Sequence, residues 1–155
     1  MQTIYNNFDS IYEIITFISH CASATSGFKR LKPLITDPQD SPYTSRGILQ
    51  VTGLENYQFL GIKYVNNPDL LCSLDIEPTV RSIALYHHLC RDVNTMNFTD
   101  TLKCLAPQEA QSKNYQVQKY RIILSNRQKT YERLCEAVGI EPAYGRHLEL
   151  LPNLQ

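Results

Sequence analysis

The chain carries no net charge: 15 basic residues balance 15 acidic ones over 155 positions. No bulk field therefore draws it toward nucleic acid or an anionic lipid surface, and a neutral polymer is the easier partner to reconcile with that balance. It also lacks any apolar run approaching the roughly 18 residues that a membrane-spanning helix needs. Residues 1–7 lack the basic and apolar regions of a signal peptide, which implies export by another route or a leader already removed. No two of the five cysteines (Cys21, Cys72, Cys90, Cys104 and Cys135) form a C-x-x-C pair, and no Cys/His cluster has zinc spacing. Metal is not expected. The odd cysteine count leaves at least one thiol free, or paired between chains, if the others are bridged. The length fits one domain with a sizeable core.

What is present is concentrated in residues 43–57, YTSRGILQVTGLENY. Gly47 and Gly53 bracket a segment in which Leu49 and Val51 alternate with Gln50 and Thr52. That period predicts a strand in a small hairpin, with an apolar face and a face of amide and hydroxyl groups. Such an edge suits hydrogen bonding to a neutral polar ligand, although a half-buried hairpin wetted on its polar side has the same pattern.

Around it the chain reads as helices. Ser10 and Glu13 have capping-box spacing, and Ile11, Ile14, Ile15 and Ile18 recur at helical period, so a helix is predicted to about Thr25 with Gly27 as its terminator. His20 falls off that stripe and is expected to be partly exposed. Residues 54–64 predict a helix that turns Tyr57 and Leu60 inward. Residues 79–91 predict a buried one, with Pro78 at its first position and Val80, Ile83, Ala84 and His87 at helical spacing. His87 and His88 point about 100° apart on that helix and are not a metal pair. A short helix is expected near Asn97 and another at Pro107. In the last long helix Tyr120, Leu124, Arg127, Tyr131, Leu134 and Val138 form one stripe, closed by Gly139 and Pro142. Arg127 interrupts this stripe, so it either finds an anionic partner or carries its head out to water.

The run Arg46-Gly47-Ile48-Leu49-Gln50-Val51-Thr52-Gly53 followed by Asn56-Tyr57 resembles the signature of family 19 chitinases and related endolysins. Asn67-Pro68-Asp69-Leu70, Asn126-Arg127 and Gly145-Arg146-His147-Leu148-Glu149 are similar to further segments of that family, so the likeness spans about residues 11–148. It implies a mainly helical, lysozyme-superfamily (α+β) domain with a small β-hairpin flanking a substrate groove. The implied activity is hydrolysis of a β-1,4-linked N-acetylglucosamine polymer, with no cofactor and no membrane insertion. Peptidoglycan is favoured over chitin by the short loops and compact size, and the site of action would be an extracellular or periplasmic cell wall. Tyr43, Gln50, Thr52, Asn56, Tyr57 and Arg127 are then the expected substrate contacts.

Two departures from the family pattern matter. In such proteins a general-acid glutamate closes the first core helix, ahead of a Gly-aromatic pair. Aligned on Gly27-Phe28, that position holds Ala24, which has no proton to give. Three readings stay open: a different register, a naturally non-catalytic relative, or an introduced Glu-to-Ala replacement. The proline-punctuated loop of residues 29–42 is also short, and Asp37 and Asp40 are its only carboxylates. Either could be the base of an inverting mechanism or an ordinary turn residue beside proline. A single-carboxylate lytic transglycosylase, a glycan-binding module and a protein-interaction domain remain as alternatives. The family's Asn-Gly-Gly turn before the last helix is absent; residues 119–123 read KYRII instead.

Overall fold

A computed structural model describes residues 6–33, 39–107 and 117–144, and in these the chain is mainly helical. The helices are α1 (Ile11–Ala24), α2 (Leu54–Leu60), α3 (Ile62–Asn66), α4 (Ile76–Leu89), α5 (Phe98–Leu105) and α6 (Val117–Val138), with a 3-10 turn at Pro68–Leu71.

Helix α1 is the hub. Ser10 caps it, its Oγ accepting from the Glu13 amide at 3.2 Å, while the Glu13 carboxylate reaches back to the Asp9 amide at 2.9 Å. The reciprocal contact thus lands one residue upstream of a standard capping box. Ile14, Phe17 and Cys21 face one core cluster, with Ile48, Ile83, Tyr86 and Cys90. Ile15 faces a second, built by Phe98 and Leu102 of α5 and Leu124, Tyr131 and Cys135 of α6. A helix packed on two sides buries polar positions as well. Thr16, Ser19 and His20 are enclosed, whereas Ile11 at the end of the expected stripe is exposed.

The helix stops where expected. The Gly27 amide donates to Ala22 O at 2.7 Å, and the buried Thr25 hydroxyl donates to Cys21 O and accepts from the Phe28 amide. Ser26, Gly27 and Phe28 follow one another with positive φ (53°, 72° and 65°), which only glycine adopts without strain. Phe28 returns to pack on the first cluster.

The predicted hairpin is not formed, and no strand occurs among the described residues. Gly47 to Gln50 is instead a tight turn closed by a single antiparallel bridge, with Arg46 N to Val51 O at 3.2 Å and Val51 N to Arg46 O at 2.8 Å. Left-handed φ at Gly47 (75°) and Gln50 (53°) stops the extended run at both ends. Ile48 plugs the first cluster from inside this turn.

The helix expected over 54–64 is cut by Gly61, whose φ of 128° no other residue adopts readily. Tyr57 and Leu60 still point inward, joining Val51, Tyr64, Leu71 and Leu85 in a third cluster. Helix α4 begins at Ile76, so Pro78 is its third residue; Ser82, Ile83, Leu85 and Tyr86 are buried while Ala84 is exposed. His88 is exposed and stacks on Phe59 at 4.3 Å, and His87 rests against Phe8 at 5.2 Å. Helix α6 ends at Gly139 (φ 73°), and the Ile140 amide closes back onto Cys135 O. Val138 at its end is exposed. The Phe98 amide donates to Ala143 O and the Ala143 amide donates to Tyr131 Oη, which holds residues 140–144 against α5 and α6. The segments at Asp37 and at residues 145–149 lie outside the described residues.

Candidate functional site: a cleft at the end of the first helix

A cleft of about 670 Å³ opens where the ends of α1, α4 and α5, the face of α6 and the turn of residues 45–52 converge. Its polar wall is Ser45, Gln50, Thr52 and Asn56, its apolar wall includes Leu85, Leu89 and Leu105, and Tyr120 and Arg127 come from α6. Ala24 and His20 border it from α1. The structure thus brings Ala24, Gln50, Thr52, Asn56 and Arg127 to one surface. It does so without a strand: Gln50 and Thr52 share the cleft because the left-handed turn rotates Gln50, not because residues two apart share a strand face.

Tyr43 and Tyr57 are corrected. Neither is among the residues that line the cleft. Tyr57 is fully buried, donates to Thr44 O at 2.8 Å, and has its phenol pushed up by burial. Tyr43 leans on it at 5.2 Å with its hydroxyl near Val65 O. The pair braces the turn from behind, and among the described residues the cleft lining includes the Tyr120 ring instead. Asp40 is exposed and is not in the lining either, so the described part of the short loop places no base there.

The polar wall is preorganised by its own hydrogen bonds. Gln50 Nε2 donates to Gly47 O at 2.8 Å and to Arg30 O at 3.3 Å, and Asn56 Nδ2 donates to Thr52 O at 2.9 Å. Thr52 and Ser45 exchange a hydroxyl contact at 3.0 Å. The acceptor oxygens of both amides have no hydrogen bond among the described residues and are available to ligand donors.

Beneath this wall Arg46 is clamped. Its Nε contacts Asp69 Oδ1 at 2.8 Å and its Nη1 donates to Pro42 O at 2.6 Å. Lys32 meets the other Asp69 oxygen at 2.8 Å, and hydrogen bonds from Lys32 and Arg46 hold the Asp69 carboxyl below the usual carboxylate range. Gly47 passes so close to Leu71 O that a Cβ would come within 2.9 Å.

His20 is the residue that sequence reasoning misplaced. It is 1% exposed, stacks parallel on Phe98 at 4.8 Å, and its Nε2 lies 2.8 Å from Thr101 Oγ1. Burial, and then the Arg127 guanidinium, lower its pKa to about 3. The ring is therefore neutral near pH 7 and offers no proton. Its Nδ1 is buried without a hydrogen-bond partner among the described residues. The same guanidinium acts on Cys21. His20 and Cys21 lie four and three residues before Ala24, and His20, Ala24 and Arg127 all line the cleft.

No carboxylate occurs among the described residues that line the cleft. The arrangement can bind and orient a polar ligand, but these residues supply no carboxylic acid to protonate a leaving oxygen. No protein-family model matches the chain, and no curated protein matches it.

Proposed function

We propose that the cleft binds a polymer of β-1,4-linked N-acetylglucosamine units as a glycoside hydrolase would, and that this chain is inert because its general-acid position is Ala24. One observation carries the reading: Ala24 closes α1 on the same cleft as Gln50, Thr52, Asn56 and Arg127, with no carboxylate among the described lining residues. Neutral amides and hydroxyls fixed by backbone contacts suit sugar hydroxyls and acetamides. Glycoside cleavage needs an acid at the leaving oxygen, and its loss removes a factor of about 10² to 10⁴ in rate. His20 does not substitute for it, being neutral at the pH where such an acid must hold its proton.

Cleavage of peptidoglycan and of chitin oligomers by the chain and by its Ala24→Glu variant tests this. Binding by both forms with cleavage by the variant alone supports it. Equal cleavage by both forms moves the acid elsewhere, and binding by neither ends the glycan reading.

A protein-interaction role is the second reading. It is favoured by Ile62, Leu74 and Ile76, which are 72%, 61% and 70% exposed and lie outside the cleft lining.

A further inference from the structure

Two thiols meet where α4 and α5 pack together beside the cleft. Cys90 is the C-cap of α4, its amide donating to Tyr86 O at 2.9 Å and its carbonyl accepting from the Val93 amide at 3.1 Å. Cys104 lies in the last turn of α5, packs against the core cluster that contains Cys90, and is itself part of the cleft lining. The two side chains share a hydrogen bond. Burial pushes both thiols up, and that hydrogen bond adds to the effect at Cys90 but opposes it at Cys104. The Cys90 S–H is therefore the donor and the Cys104 sulfur the acceptor. Cys90 is fully enclosed, whereas Cys104 is partly exposed. At Cys21, Cys72 and Cys135 the largest influence after burial comes from a group that is not sulfur.

We propose that Cys90 and Cys104 form a reversible dithiol–disulfide site, which a low-molecular-weight disulfide reaches through the cleft. Cys104 attacks first, because it is the thiol that lines the cleft and accepts the hydrogen bond. Its thiolate bonds to one sulfur of the reagent, the reagent's S–S bond breaks, and the departing half takes up the proton that Cys104 lost. Cys90 then loses its proton and attacks the Cys104 sulfur of the mixed disulfide, and the second half leaves as a thiol. The protein has given up two electrons and two protons, and the reagent has become two thiols. Sulfurs already in hydrogen-bond contact need only side-chain rotation and a small backbone adjustment to join. The bridge ties the end of α4 to the end of α5, next to Leu89 and Leu105 of the apolar wall. Oxidation thus fixes one wall of the cleft, whatever the cleft binds.

Incubation of the folded, reduced chain with excess oxidised glutathione tests this, followed by blocking of free thiols and mass mapping of tryptic peptides. The peptides of Cys90 and Cys104 should be found joined, and dithiothreitol should return both to free thiols. Cys90→Ala should abolish the bridge and trap glutathione on Cys104, since the second attack is then lost. Cys104→Ser should abolish it and leave Cys90 unmodified, because the enclosed thiol has no access to the reagent. A stable glutathione adduct on Cys104 of the unaltered chain would overturn the proposal. So would a bridge from either cysteine to Cys21, or the recovery of both thiols free.

Discussion

His20 and Thr101 meet beneath the cleft through a 2.8 Å hydrogen bond that joins α1 to α5. Thr101 Oγ1 lies 3.1 Å and 3.0 Å from the carbonyls of Asn97 and Phe98, to which it donates one turn back along its own helix. With that proton so placed, the hydroxyl accepts from His20 Nε2–H. The imidazole is thereby fixed as the tautomer whose Nδ1 is an acceptor.

Burial of this imidazole, with the Arg127 guanidinium nearby, makes stability depend on pH. His20 has a pKa near 3 in the fold against 6.5 for the ordinary side chain. Between those values the unfolded chain binds the additional proton. The contribution of His20 is therefore fully present above about pH 6.5 and is lost as pH falls toward 3, with a slope of up to about 1.4 kcal/mol per pH unit. Urea unfolding midpoints at pH 7 and pH 5 should show the loss, and His20→Gln should flatten it. Parallel pH dependence in the two proteins would remove His20 from the account.

Gly47 sets the lip of the cleft. Its φ of 75° and the 2.9 Å approach of a Cβ to Leu71 O leave no room for a side chain. Gly47→Ala should destabilise the fold by about 1–3 kcal/mol, through left-handed strain and the backbone clash. Gly53→Ala shares the positive φ but meets nothing within 4 Å, so it should cost less. Equal losses in denaturant titrations would mean that the close contact with Leu71 is not what fixes the turn.

The thiols should report the packing. All five cysteines are free; Cys21, Cys90 and Cys135 are buried, and burial raises the pKa of each. A thiol-reactive aromatic disulfide should label Cys72 and Cys104 first in the native protein and all five in denaturant. Rapid labelling of Cys21 in native buffer would contradict the burial of α1.

Local rules read the helix ends well, because Ser10 acts through its own side chain and Gly27 and Gly139 through their own left-handed backbone. The residues of the cleft were legible too, since Ala24, Gln50, Thr52, Asn56 and Arg127 do reach one surface. The strand was not. Alternation over five residues between two glycines is equally a turn, and nothing local reveals that Gln50 takes a φ of 53°. His20 was missed because apolar periodicity marks one buried face, whereas α1 packs on two sides and buries Thr16, Ser19 and His20 as well. Tyr57 looked like a groove wall because aromatic residues suit both sugars and cores, and its hydroxyl found Thr44 O inside.

The central claim is that the cleft, and not another face, is where glycan binds. Backbone amide shifts recorded while the protein is titrated with an N-acetylglucosamine oligomer test it most directly. The account predicts saturable shifts confined to Ala24, Gln50, Thr52, Asn56, Tyr120 and Arg127 and their neighbours. Shifts centred on the exposed Ile62, Leu74 and Ile76, or none anywhere at millimolar oligomer, would contradict it.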